Sequence, residues 1–254
     1  MKLNILMPLI AAVAMGSLPL NISYADDYED LIKAAIDNPA RAAANSSRDG
    51  ARKPADVINF MGVKPGMVVL DMYADGSYYT EILSGVVGDN GRVIAQMFPD
   101  AGRDSDNKTS TYIRTSDHLK NVIPIYANIN DIDLKENSLD QVFIIQFYHD
   151  FYYKGIEVDL NKILSLYKKA LKPGGIIAIV DHEAIKGSPS STGDTLHRID
   201  PAIVKKDMEE AGFIFEGERP FLLNDTDDKS ISVFDEPVRG KTSRFILKYK
   251  NPPK

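Results

Sequence analysis

The sequence predicts an α/β fold, a three-layer sandwich around a seven-stranded, mostly parallel sheet whose last strand is antiparallel. Five apolar strand patterns alternate with helical patterns along most of the 254-residue chain. Such alternation is typical of βαβ units, whose helices cover both faces of a parallel sheet. The tail after residue 213 contains two further strand patterns with no helix between them, and such a pair adds an antiparallel strand.

The order of the elements follows from apolar runs and from the turn residues between them. Met67 to Met72 is the first strand pattern, and Ser77 to Val87 is the helical pattern after it. In the last repeat, Asp200-Pro201 provides an N-cap followed by proline, and Gly212 ends the helix. The other predicted strands include 91–96, 122–127, 139–147, 176–181 and 243–249, and the other predicted helices lie near 112–119 and at 158–171.

The N-terminus is typical of a targeting segment. Lys2 precedes an apolar run, and residues 23–25 place small side chains at the −3 and −1 positions of a cleavage site. We therefore predict a signal peptide at 1–25, an N-terminal helical extension at 26–66 and the α/β domain at 67–250. The expected location is periplasmic or secreted, with no stable membrane insertion after cleavage; a retained N-terminal anchor is the alternative.

Composition narrows the classes of partner. The formal net charge is −6, and an acidic chain lacks the basic surface that nucleic acids and anionic lipids require. The chain contains no cysteine, which excludes disulfides, thiolate nucleophiles and cysteine-ligated metal sites. We therefore expect a small-molecule partner and no nucleic acid, while the oligomeric state stays open.

Three segments together resemble one known family. Residues 68–83 combine an acidic residue at the end of the first strand with a turn and a helix, residues 139–146 form a strand, and residues 171–175 read Leu-Lys-Pro-Gly-Gly. They resemble motif I, the fourth strand and the turn before the fifth strand of class I S-adenosylmethionine (SAM)-dependent methyltransferases. More narrowly, residues 48–54, His182 and residues 224–242 resemble an exported group of predicted methyltransferases within that superfamily.

The resemblance implies a Rossmann-like sandwich with SAM as its cofactor. In the family, the acid that ends the first strand lies near the methionine part of SAM, and an acid after the second strand binds the ribose. This chain departs from the pattern, because side chains replace glycines in the turn and a glutamine ends the second strand. The residues that the resemblance assigns to cofactor binding are Asp71, Tyr73, Asp75, Gly76, Ser77 and Gln96.

Three of the four histidines follow predicted strands at the carboxyl edge of the sheet: His149, His182 and, in the loop beyond, His197. Because the pKa of imidazole lies near neutrality, His149 or His182 is a candidate catalytic base that deprotonates a methyl acceptor. With Asp150 or Asp181 they could also collect a metal. No short His-x-x-x-His spacing supports such a site, so we predict no metal ligand.

The function that the resemblance implies is SAM-dependent methyl transfer to a small-molecule acceptor. A rival interpretation is a catalytically degenerate binding protein on the same scaffold in the periplasm, which the altered turn motivates. A third is a metal-assisted hydrolase that uses the histidines. Nucleophilic serine hydrolysis is not predicted, because no G-x-S-x-G segment precedes a helix.

Overall fold

A computed structural model describes residues 24–100 and 108–253. Its strands are β1 (Val68–Met72), β2 (Arg92–Met97), β3 (Val122–Tyr126), β4 (Leu139–Ile145), β5 (Leu171–His182), β6 (Ile214–Glu218) and β7 (Arg244–Lys250). They form one sheet in the order β3-β2-β1-β4-β5-β7-β6. Only β7 runs in the direction opposite to the other six strands, so the predicted seven-stranded, mostly parallel sheet is confirmed.

Within the described ranges, four helices precede β1, and the others lie between later strands. The helices are α1 (Tyr24–Ile36), α2 (Ala43–Ser46), α3 (Asp49–Arg52), α4 (Pro54–Met61), α5 (Tyr78–Val87), α6 (Lys108–Thr115), α7 (Leu160–Ala170), α8 (Thr192–Leu196) and α9 (Pro201–Glu210). The predicted cap of α9 is confirmed, because the Asp200 carboxylate accepts from the Ala202 N–H. Strand β5 begins at Leu171, ahead of the predicted residue 176, because Leu171 pairs with Leu139 across an irregularity in the ladder.

The core consists of two apolar layers, one on each face of the sheet. Successive strand residues point to opposite faces. Val69 therefore packs in the layer that contains α1, α4 and α5, and Leu70 packs in the layer that contains α7 and α9. This arrangement is the three-layer sandwich that the alternation of strands and helices predicts.

The segment predicted as an N-terminal extension packs against the same core. Helix α1 lies directly on α5, where a Cβ atom added to Gly85 would lie 2.8 Å from the Cβ of Ala35. Arg41 then pairs with Asp49 through two hydrogen bonds. Residues 1–23 of the predicted signal peptide lie outside the described residues. Within the described ranges, no helix combines the length and the apolar character needed to cross a bilayer.

Candidate functional site

The candidate site lies at the carboxyl edge of the sheet, where the strand order reverses between β1 and β4. In open parallel sheets this is the position at which ligands bind. The turns after β1, β4 and β5 meet there. Of the seven non-glycine residues with a left-handed backbone in the described part of the chain, four lie in the segments that follow these strands: Tyr73, Ser77, Gln146 and His197. Such strained residues are concentrated at functional sites, so the backbone and the topology indicate the same edge.

Tyr73 stands at the first position of the turn after β1, with a φ of 52°. Its ring lies between Phe98 and Phe147, with centroid distances of 5.2 and 4.5 Å. The resembled family commonly has glycine here, which leaves the switch point open. In this protein the rings of Tyr73, Phe98 and Phe147 fill part of that space, and a cavity lies on each side of the Tyr73 ring.

Two of the predicted cofactor residues are buried and bonded within the protein. The Asp71 carboxylate accepts from the Thr80 hydroxyl at 2.6 Å, and burial raises the pKa of Asp71 to about 6. Gln96 is wholly buried; its amide accepts from the Tyr73 N–H at 2.9 Å and donates to the Ala127 carbonyl at 2.8 Å. Both side chains hold the turn in place, and their contact with a cofactor stays a prediction.

The rest of the turn is braced by α6. The Thr109 hydroxyl accepts from the Gly76 N–H at 3.1 Å and donates to the Asp75 carboxylate at 3.2 Å. Asp75 and Gly76 are exposed, whereas Ser77 is buried and donates to the Gly76 carbonyl. Gly76 has a φ of 72°, a conformation that glycine adopts without strain. The altered turn is thus held by hydrogen bonds, and neither Asp75 nor Ser77 is among the residues that line the cavity beside Tyr73.

A cavity of about 450 Å³, here called the histidine cavity, opens beside Tyr73. The predicted catalytic residues His149 and His182 both line it, together with His197. The His149 ring centroid lies 5.8 Å from that of His182 and 5.3 Å from that of His197. The three sheet-edge histidines therefore meet in one cavity, although they follow different strands and loops. Its full lining is Tyr73, Gln146, Phe147, His149, Asp150, Tyr153, Ile156, His182, His197, Val233 and Phe234.

His149 is held between carboxylates. Its Nδ1 donates to Asp181 Oδ1 at 2.7 Å, and its backbone N–H donates to the other oxygen of Asp181. Its Nε2 lies 3.3 Å from Asp150 Oδ1, which also lies 3.3 Å from His197 Nδ1. Burial lowers the pKa of His149, but the charges of Asp181 and Asp150 outweigh it and raise that pKa above the usual value.

His182 has the opposite electrostatic environment. Burial, reinforced by the cationic surroundings that include Arg244, holds the pKa of His182 well below its usual value. Its Nδ1 lies 2.7 Å from the Thr242 hydroxyl, and its Nε2 accepts from the Gln146 amide at 3.3 Å. His182 is therefore a neutral imidazole that presents an acceptor nitrogen at the wall of the cavity.

A second cavity of about 540 Å³, the arginine cavity, adjoins the first. The two share four wall residues: Gln146, His182, Val233 and Phe234. Four arginines line the second cavity: Arg48, Arg52, Arg239 and Arg244. No carboxylate is among its lining residues in the described chain. Burial, reinforced by the nearby charge of Arg48, lowers the pKa of Arg52 to about 10, and this concentration of cationic groups favours an anion in the cavity.

A third cavity of about 420 Å³, the Phe98 cavity, lies at the ends of β2 and β3. Phe98 and Ile129 give it apolar walls, and Asp131 gives it a carboxylate. It shares Ile156 with the histidine cavity, and the edge of the Tyr73 ring meets Phe98 between the two. The three cavities thus form a row along the carboxyl edge of the sheet.

The arginine and Phe98 cavities were not predicted from the sequence. A signal for the former was present, because residues 48–54 and 224–242 carry the narrower family resemblance. These two segments, distant in the chain, meet at the arginine cavity. Phe98 carried no comparable signal, because a single aromatic residue after a strand is most often a packing residue.

Comparison with solved structures identifies the fold. The chain is similar to a SAM-dependent methyltransferase from Aquifex aeolicus, with 22% identity, a TM-score of 0.57 and coverage of 87% of this chain and 97% of that chain. It is also similar to a SAM-dependent methyltransferase from Mesorhizobium loti, with 13% identity, a TM-score of 0.56 and coverage of 80% and 99%. A geranyl diphosphate methyltransferase in complex with SAM is 10% identical, with a TM-score of 0.54 and coverage of 86% and 94%.

At these identities the similarity establishes the fold alone. The chain has the Rossmann-like fold of class I SAM-dependent methyltransferases, as its motifs predict. No protein-family model matches the sequence, and no curated protein matches it.

Proposed function

We propose that the protein is a SAM-dependent methyltransferase whose acceptor is a small molecule with an anionic group. The observation that carries the proposal is the row of three cavities at the carboxyl edge of the sheet, where this class of fold binds its ligands. Solved structures with the same fold include methyltransferases, among them the geranyl diphosphate methyltransferase in complex with SAM.

The Phe98 cavity fits the adenosine part of SAM. Phe98 and Ile129 offer apolar surface to an adenine ring, and the Asp131 carboxylate can accept from ribose hydroxyls. Ile156 continues the lining into the histidine cavity, so an extended ligand passes Tyr73 on its way from one cavity to the other. When bound there, SAM supplies an electrophilic methyl group on its sulfonium.

The arginine cavity fits a carboxylate or phosphate group of the acceptor. Guanidinium groups bind both anions through paired N–H donors, and here they lack carboxylate partners at the cavity wall. Because Phe234 and His182 belong to both cavities, an acceptor anchored at the arginines extends into the histidine cavity. The protein then contributes mainly by aligning the acceptor atom and excluding water from it.

His182 is the group placed to hold the reacting atom of the acceptor. Its Nε2 now accepts from the Gln146 amide, and an acceptor hydroxyl or amine that replaces this amide would donate to the same nitrogen. The neutral state of the imidazole suits this role, since a protonated ring has no acceptor site. Loss of the acceptor proton to Nε2 is the step that this residue assists.

Calorimetry with SAM and S-adenosylhomocysteine tests the cofactor. We expect binding to the wild-type protein and a loss of about tenfold or more in affinity for Phe98→Ala, since an aromatic wall contributes about 1.5–3 kcal/mol. Phe215→Ala is the matched control, because Phe215 is exposed on β6, away from the site. If neither compound binds the wild-type protein, the proposal is wrong and the binding-protein interpretation takes its place.

Thermal denaturation with inorganic phosphate or citrate tests the anion site. Both anions should raise the melting temperature of the wild-type protein and have less effect on Arg239→Gln. Arg219→Gln, which removes an exposed arginine outside the site, should behave as the wild type does. SAM affinity should be unchanged in Arg239→Gln; a parallel loss of SAM binding would assign the arginines to the carboxylate of the cofactor and contradict the acceptor site.

A further inference from the structure

Three possible metal ligands converge at one end of the histidine cavity. His149, Asp150 and His197 each offer one ligand atom, and these three atoms lie within 4.8 Å of one another. The ligands come from the turn after β4 and from the residue that directly follows α8. None of the three lines the Phe98 or the arginine cavity, and all three line the histidine cavity, which the proposed cofactor path enters.

Two of the three distances in this group fit a metal ion, and the third pair of ligand atoms lies within 4.8 Å. Asp150 Oδ1 lies 3.3 Å from His149 Nε2 and 3.3 Å from His197 Nδ1. With bonds of about 2.0–2.2 Å, neighbouring ligand atoms around a tetrahedral or octahedral ion lie roughly 2.8–3.6 Å apart. An ion can therefore enter this group with small movements of the side chains.

The second nitrogen of His149 has the partner that metal-binding histidines require. Metal-bound imidazoles usually donate their other N–H to a carboxylate or carbonyl, which fixes the tautomer and directs the free nitrogen at the metal. Here Nδ1 of His149 donates to Asp181, a residue that is 0% exposed and also accepts from the backbone N–H of His149. Nε2 is thereby the nitrogen directed at Asp150, on the side where the His197 ring lies, and it is the nitrogen that would bind a metal.

His197 is positioned by its backbone and by its neighbours. It directly follows α8 and has a left-handed backbone, with a φ of 52°. Its ring lies against Tyr153 and Phe234, with centroid distances of 5.4 and 4.8 Å. The strain at this residue is accounted for if its Nδ1 must face Asp150.

We propose that His149, Asp150 and His197 bind one divalent cation of the first transition-metal row, such as Zn²⁺. Two imidazoles and one carboxylate suit such ions better than Mg²⁺ or Ca²⁺, which prefer oxygen ligands. Three protein ligands leave positions open, and these face the histidine cavity. The cation site itself does not rest on the proposed function. One consequence does rest on it: an acceptor oxygen that coordinates the open position would lose its proton more easily.

Titration of the metal-free protein with Co²⁺, monitored by visible absorption, tests the site. The protein should carry no histidine tag and should be treated with a chelator that is then removed. We expect one equivalent to bind and to be displaced by Zn²⁺ but not by Mg²⁺. His197→Gln and Asp150→Asn should weaken binding by at least tenfold, and Asp181→Asn by about 10–100-fold with the cobalt spectrum retained.

The control is His118→Gln, because His118 lies beside Glu81, outside the cavity. It should bind Co²⁺ as the wild type does, and circular dichroism establishes that each variant is folded. If His149→Gln does not fold, His197→Gln, whose side chain is 22% exposed, still decides the result. Absence of Co²⁺ and Zn²⁺ binding to the wild type, or equal binding to His197→Gln, would overturn the proposal. SAM is absent from this experiment, so failure of the metal site leaves the cofactor test unaffected.

Discussion

Replacing Arg198 by alanine should lower the free energy of unfolding by about 3–5 kcal/mol, because it breaks a buried ion pair. Arg198 is 0% exposed, and its guanidinium donates to both carboxylate oxygens of Asp227 at 2.8 and 3.0 Å. It also donates to the backbone carbonyls of Glu183 and Ile231. The alanine variant loses four hydrogen bonds and leaves a buried carboxylate without its counter-ion.

Asp227→Asn should cost about as much, although it conserves shape. One carboxylate oxygen accepts from Arg198 and from the Lys229 N–H, and the other accepts from Arg198 and from the Ser243 N–H. An asparagine would turn its NH₂ group toward two donors, so two contacts become repulsive whichever way the amide lies. The double variant Arg198→Met/Asp227→Leu should recover much of the loss, since no buried charge is left alone.

Urea denaturation monitored by far-UV circular dichroism measures these differences, provided that the slope with urea is unchanged. Lys205→Ala breaks an exposed ion pair with Glu218 and should cost less than about 1 kcal/mol. The reasoning is refuted if either single substitution at the buried pair is as mild as this control. It is also refuted if the double variant loses the sum of the two single effects.

Three further predictions concern the site. Burial raises the pKa of Asp71 from 3.8 to about 6, so the folded state binds this proton more tightly than the unfolded state does. The free energy of unfolding of the wild type should therefore fall by up to about 3 kcal/mol as the pH rises from about 4 to 6. Urea titrations at several pH values should show this fall in the wild type and not in Asp71→Asn. Tyr73→Gly should change the free energy of unfolding by only about 1–2 kcal/mol, because losing the ring that packs on Phe98 is offset by relief of left-handed strain. Gly193→Ala should destabilise the protein by about 1–3 kcal/mol and weaken Co²⁺ binding, since its Cβ would lie 2.4 Å from the carbonyl oxygen of His149. A thermal melt unchanged in Gly193→Ala would contradict the last prediction.

The architecture could be predicted because it is encoded in local, repeated patterns. Val69 and Leu70 belong to an apolar run that is buried on both faces, and such runs between helices indicate a parallel sheet. The cap at Asp200 could be predicted from two adjacent residues for the same reason. Boundaries were less predictable where pairing decides them, as at Leu171, whose strand state depends on Leu139 in another part of the chain.

The site could be predicted only in part, because its residues are brought together by topology. That His149 and His182 follow neighbouring strands was sufficient to place both at one edge. The ligand group with His197 has no fixed spacing, since 47 residues and a whole βα unit separate its two histidines (197 − 149 − 1). Similarly, the resemblance assigns Gln96 to cofactor binding, but the sequence gives no sign of the hydrogen bonds that its side chain makes with Tyr73 and Ala127.

The shared wall formed by Val233 and Phe234 has a consequence for selectivity. The Val233 N–H donates to the Leu196 carbonyl, so this wall is attached to the residue that precedes His197. Phe234 is 58% exposed and also contacts the His197 ring. A bulky molecule that moves Phe234 to reach the arginines must also disturb the imidazole next to it. The selectivity for the bound molecule and the position of the His197 imidazole are therefore coupled. Substitutions at Phe234 should alter the two together.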